Sequence, residues 1–62
     1  MRLRRAIELN PAYAEAYANL GVALLQQKKH REAADAFRQA LVLEPELELA
    51  RNGLLQAEER GR

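Results

Sequence analysis

His30 and two runs of carboxylates, Glu44, Glu46 and Glu48 around Pro45 and Glu58 and Glu59 near the carboxyl end, are the side chains here that could move a proton. An acid–base pair needs two such groups held about one substrate, whereas exposed carboxylates at helix ends are usually solvated or compensate the helix dipole. Covalent catalysis has less to work with. The chain contains no Ser, Thr or Cys, so the usual nucleophiles are absent, and a lone imidazole lacks partners for a metal ligand set. Gly21, Gly53 and Gly61 form no phosphate-cradling loop after a strand. Tyr13 and Tyr17 could stack on bases, but no basic groove surrounds Tyr13, and a formal charge of +1 gives no general attraction for nucleic acid. These residues predict no enzyme, no cofactor, no metal site and no nucleic-acid partner.

If chemistry is absent, the elements themselves must carry function. Sixty-two residues make at most one small domain, and a chain of this size buries only about 60% of its unfolded surface. An apolar fraction of 48% beside 31% charged residues suits a helical globule rather than a disordered segment. With no cysteine, a disulfide cannot supplement the core, and a reducing, cytoplasmic setting is the expectation. No apolar run approaches the roughly 20 residues that span a bilayer, and MRLRRAIEL is too short and too charged for a signal-peptide core, so membrane insertion is not expected. The basic clusters Arg2–Arg4–Arg5 and Lys28–Lys29–His30–Arg31 read as solvated helix ends or turns.

Pro11 and Pro45 divide the chain, since proline ends one helix and is tolerated in the first turn of the next. They stand 34 residues apart, and the same shift pairs Leu3 with Phe37, Ala6 with Ala40, Ile7 with Leu41, Leu9 with Leu43, Ala16 with Ala50 and Leu20 with Leu54. This is an internal repeat. Between the prolines, Tyr17, Leu20, Gly21 and Leu24, and then Ala33, Phe37, Ala40 and Leu41, follow the spacing of one helical face. The spacing predicts a helix from Pro11, capped by Asn10, to about Gln27, and a second from about Arg31 to Leu43. Period-two alternation never persists, so no strand is expected.

The pattern Tyr17, Leu20, Gly21, Leu24, Ala33, Phe37, Ala40 and Pro45 resembles a tetratricopeptide repeat: an aromatic, Leu-Gly, a large residue, two small residues around an aromatic, and a closing proline. The resemblance implies an all-α fold of antiparallel helix-turn-helix repeats, a fragment of an α-solenoid. Residues 14–47 would form a full repeat, residues 1–11 the second-type helix of a preceding half repeat, and residues 48–62 a C-terminal capping helix. It also explains an interior glycine that costs about 1 kcal/mol of helix propensity: the missing side chain at Gly21 lets the second helix approach, with Ala33 facing it and Tyr17, Leu20, Leu24 and Phe37 interlocking around the contact. The position equivalent to Gly21 in the last helix is Leu55, where no second-type helix follows.

The same resemblance implies a protein or peptide partner, met on a concave face formed by Glu15, Ala18, Asn19, Val22, Leu25 and Gln26 together with Leu49, Asn52 and Gln56. Relatives that grip acidic chaperone tails use cations and asparagines there, and only Asn19 matches. A helix or extended peptide with apolar anchors is therefore the expected occupant. The alternative is self-assembly. Leu3 and Ile7 lack a covering helix before them, which suits a homo-oligomer or the end of a longer repeat array. The turn QQKKHREAA holds no Gly, Pro, Asn or Ser, so the hairpin could open into one helix and exchange halves with a second chain.

Overall fold

The computed structural model describes residues 11–61 and places three helices in them: α1 (Pro11–Gln26), α2 (His30–Leu43) and α3 (Glu48–Arg60). The ends of α1 and α2 lie within a residue of those read from the sequence, and α3 ends at Arg60. Proline at the first position of α1 loses nothing there, because that N–H has no intrahelical acceptor. Asn10, Leu3, Ile7 and the helix expected before Pro11 lie outside the described residues. Among the described residues no strand occurs.

Two different turns separate the helices. After α1, the N–H of Lys28 donates to the carbonyl of Leu25 at 2.9 Å and that of Lys29 to the carbonyl of Leu24 at 2.9 Å, while Lys28 stands at φ 65°. This is a Schellman closure, in which two otherwise unpaired helix-end carbonyls are satisfied. The left-handed position that usually belongs to glycine is here a lysine, at a cost of roughly 1 kcal/mol. His30, read from the sequence as a turn residue, is instead the first residue of α2. After α2, the N–H of Leu47 donates to the carbonyl of Glu44 at 3.1 Å, closing a β-turn whose second residue is Pro45, the position where its fixed φ is already correct. The chain then re-enters helix at once.

Both α1 and α3 pack on α2, and α1 also touches α3. The interior they share is built almost entirely of alanine. Ala14, Ala18, Ala33, Ala34, Ala36, Ala40, Ala50 and Ala57 are all buried, and among the described residues Phe37 is the single large side chain that is fully enclosed. Half-buried Val22, Leu24, Leu25, Leu41, Leu47 and Leu54 border this cluster. Small residues at every crossing let the helix axes approach, and one aromatic ring fills the space that remains.

That ring explains both interior glycines. A Cβ at Gly21 would lie 2.7 Å from Cε1 and Cζ of Phe37, closer than carbon atoms can pack. A Cβ at Gly53 would fall still deeper into the same ring. Phe37 is thus held between a glycine of α1 and a glycine of α3. The expected close approach at Gly21 is present, but its nearest neighbour is Phe37, one helical turn beyond Ala33.

Two sequence expectations for the core are corrected. Tyr17 is 39% exposed and Leu20 is 49% exposed, so neither interlocks around the Gly21 contact. With Tyr13 at 56%, they form an i, i+4, i+7 stripe on the outer side of α1, because the α2-facing side is already taken by Ala14, Ala18 and Gly21. Leu55, the counterpart of Gly21, is likewise exposed.

Candidate docking face and charged cleft

The residues assigned to a partner face fall on two helical stripes. On α1, Glu15, Asn19, Val22 and Gln26 follow i, i+4, i+7, i+11; Glu15, Asn19 and Gln26 are exposed, and Val22 is half-buried. Leu25, also half-buried, packs with Val22 against the alanine cluster. On α3, Leu49, Asn52 and Gln56 follow i, i+3, i+7, all exposed, and Leu49 presents 45% of its surface.

Ala18 departs from the set. It has no exposed surface and belongs to the cluster that contains Ala33, Phe37 and Ala50. The reason is the short reach of alanine: the helices come close enough to enclose a methyl group, which a longer side chain at that position would have held open. Its role is in joining the helices rather than in touching a partner.

Val22 has a mixed position, since part of it supports the core. Leu49 is the cleaner apolar anchor, standing clear at the start of α3. The same stripes carry four amide side chains, Asn19, Gln26, Asn52 and Gln56, able both to donate and to accept hydrogen bonds. No lysine or arginine lies on either stripe, and Glu15 is the sole charge. Such a surface can recognise apolar side chains and peptide groups. It offers no charge-assisted clamp for a terminal carboxylate. The self-association pair Leu3 and Ile7 lies outside the described residues.

A second concavity was not legible in the sequence. Between the start of α2 and the end of α3 runs an open cleft lined by His30, Arg31, Asp35, Arg38, Glu58 and Gly61. Its charges largely satisfy each other: the Arg38 guanidinium donates to Asp35 at 3.1 Å and to Glu58 at 3.5 Å. All three side chains are about half exposed or more, so these pairs contribute at most about 1 kcal/mol. Glu58 therefore has a structural partner on α2, although no spacing rule links residues twenty apart. Among the described residues, no group of three or more His, Cys, Asp or Glu side chains could hold a metal ion. Nor is any described helix long and apolar enough to cross a membrane.

With the hairpin and its seam in view, comparison with known proteins is decisive: residues 14–47 match the tetratricopeptide repeat. The chain belongs to the tetratricopeptide-repeat family. A curated relative, small glutamine-rich tetratricopeptide repeat-containing protein 2 of Mycosarcoma maydis, is 28% identical over 57 residues, which cover 92% of this chain and 16% of that protein. The chain thus spans only a small part of the relative's length. No solved structure matches it. Tetratricopeptide repeats generally mediate contacts between proteins, and the all-helical hairpin of α1 and α2 is the architecture that does so.

Proposed function

We propose that this tetratricopeptide-repeat chain is a non-catalytic docking module whose α1 and α3 stripes receive an apolar-anchored helix or extended peptide from a partner protein. One observation carries the reading: Leu49 stands exposed on the α3 stripe with Asn52 and Gln56, and the α1 stripe, on a helix that touches α3, carries exposed Asn19 and Gln26, with no cation on either stripe. Apolar anchors ringed by amides favour a peptide whose side chains enter between the helices while its backbone meets the amides. The absence of Lys and Arg disfavours acidic carboxyl tails. A single repeat offers less than the roughly 800 Å² per partner of a standard interface, so the expected affinity is modest unless neighbouring repeats extend the surface.

The test is a selection of random displayed peptides on the 62-residue chain, followed by binding of the selected peptides to Leu49→Glu with Asn19→Ala. Both positions are exposed, so helicity and melting temperature should hold while binding falls at least tenfold. Amidating the peptide carboxyl terminus should change nothing. Peptides that bind the variant as well as the parent would move the site to another face.

A further inference from the structure

Three residues of α3 recur, identical, 34 positions earlier on α1, and their surroundings differ. Ala50 and Ala57 are buried and Leu54 is half-buried, whereas Ala16, Ala23 and Leu20 are all exposed. The difference lies in what covers them. Packed on α3, α2 brings Phe37 and Ala40 into one buried cluster with Ala50 and Ala57, and Leu41 and Leu54 pack against it. Among the described residues, nothing covers the corresponding side of α1.

The sequence suited to cover it is present in the chain. On the same 34-residue shift, Phe37, Arg38, Ala40, Leu41 and Leu43 of α2 recur as Leu3, Arg4, Ala6, Ile7 and Leu9, which lie outside the described residues. Three of these five are identical, and the other two stay large and apolar. One position of the receiving face differs, and its partner differs with it: Asn19 replaces Gly53 where Leu3 replaces Phe37, so a larger side chain meets a smaller one. A helix of seven residues is about 10 Å long, which matches the stretch of α1 from Ala16 to Ala23.

We propose that Leu3–Leu9 packs as a helix on the Ala16, Leu20 and Ala23 side of α1, as α2 packs on α3. The α2 of a second copy cannot take this place, because its matching side is already held by its own α3. Docking requires one change in the described backbone. Helix α1 begins at Pro11, three residues before Ala14, the counterpart of Glu48 at the start of α3. Its first turn must therefore open into a copy of the turn from Glu44 to Leu47. Asn10 and Pro11 would fill the first two positions of that turn, where both residue types are favoured. Tyr13, exposed in α1, would take the place of Leu47, which packs against the buried cluster. The segment borders the docking stripe at Asn19 and does not depend on what binds at Leu49.

Nuclear magnetic resonance of the dilute 62-residue chain, with isotope-labelled and unlabelled copies mixed, tests the proposal. Overhauser contacts from Leu3 to Asn19 and Leu20, and from Ile7 to Ala16, should appear within labelled chains, and the shifts of Ala12 and Tyr13 should leave the helical range. A mutant cycle reads the same contact through stability. Leu3→Ala and Leu20→Ala should each lower the folding constant, and the double variant should fall at least about threefold short of the product of their effects. Glu8→Ala combined with Leu20→Ala should be additive, because Glu8 corresponds to Val42, which is exposed on α2. Contacts seen only between labelled and unlabelled copies overturn the proposal. So does an additive cycle for Leu3 and Leu20, or an α1 that stays helical from Pro11.

Discussion

The ring of Phe37 occupies the space that a side chain at Gly53 would need, although the two residues belong to different helices and sixteen positions separate them. The same ring also meets Gly21. One aromatic thus joins three helices whose remaining buried contacts are almost all methyl groups of alanine. The three-helix scaffold, and with it the spacing of the α1 and α3 stripes, depends on that arrangement.

Truncating the ring should be the most damaging single change. Phe37→Ala removes the only large enclosed side chain among the described residues and should cost about 3–5 kcal/mol. A 62-residue chain has about 3–9 kcal/mol in total. Loss of most helical circular dichroism at 37 °C is the expected outcome, and a cooperative melt close to that of the parent would show that the ring is dispensable.

Leu20→Ala offers the contrast. Leu20 is 49% exposed, so its removal should cost well under half as much as Phe37→Ala, and Tyr17→Ala should behave alike. Urea midpoints of the three variants measured side by side decide this. Equal losses would return Tyr17 and Leu20 to the core.

Replacing Lys28 by glycine should stabilise the closed hairpin by roughly 1 kcal/mol, since glycine adopts φ 65° without a Cβ clash. Lys28→Ala should give no such gain, because alanine carries the same clash. Thermal melts of the dilute chain check the pair, and a gain from alanine equal to that from glycine would refute a conformational cause.

Arg38→Ala should lower stability by no more than about 1 kcal/mol, because both of its ion pairs are exposed. Raising the salt concentration to about 1 M, where the screening length falls to about 3 Å, should erase most of the difference from the parent. A larger, salt-independent loss would mean that the arginine stem packs on α3 and matters more than its charge.

How far the sequence announced all this depends on which kind of spacing each feature obeys. The 34-residue period and the run from Tyr17 to Pro45 follow from local helical geometry, so the hairpin, its boundaries and the special status of Gly21 were legible. Gly53 was not. Shifting by 34 aligns it with Asn19 rather than with Gly21, so the repeat hides a second contact to the same ring. Its signal was present in another form: an interior helix glycine costs about 1 kcal/mol and asks for a packing reason wherever it stands.

The remaining differences are tertiary. Ala18 lies one helical turn from Glu15 and Val22, residues that reach solvent in whole or in part, and packing with α2 and α3 in the alanine cluster buries it. Tyr17 and Leu20 carry the apolar spacing of a core face, yet α2 packs against the alanine side of α1 and leaves them outside. Lys28 shows the reverse case, a residue in the turn joining α1 to α2 that takes a backbone conformation its type disfavours. The pairing of Arg38 with Glu58 depends on the crossing of α2 and α3, to which no sequence interval corresponds.

The most direct test of the shared ring is Gly53→Ala introduced into the parent and into Phe37→Leu, with stability read by urea denaturation. In the parent, the added methyl must displace the ring, and a net loss of about 1–3 kcal/mol is expected despite alanine's higher helix propensity. In the leucine background the ring edge is gone, so the same substitution should be neutral or stabilising. A Gly53→Ala substitution that stabilises the parent chain would contradict the packing described here.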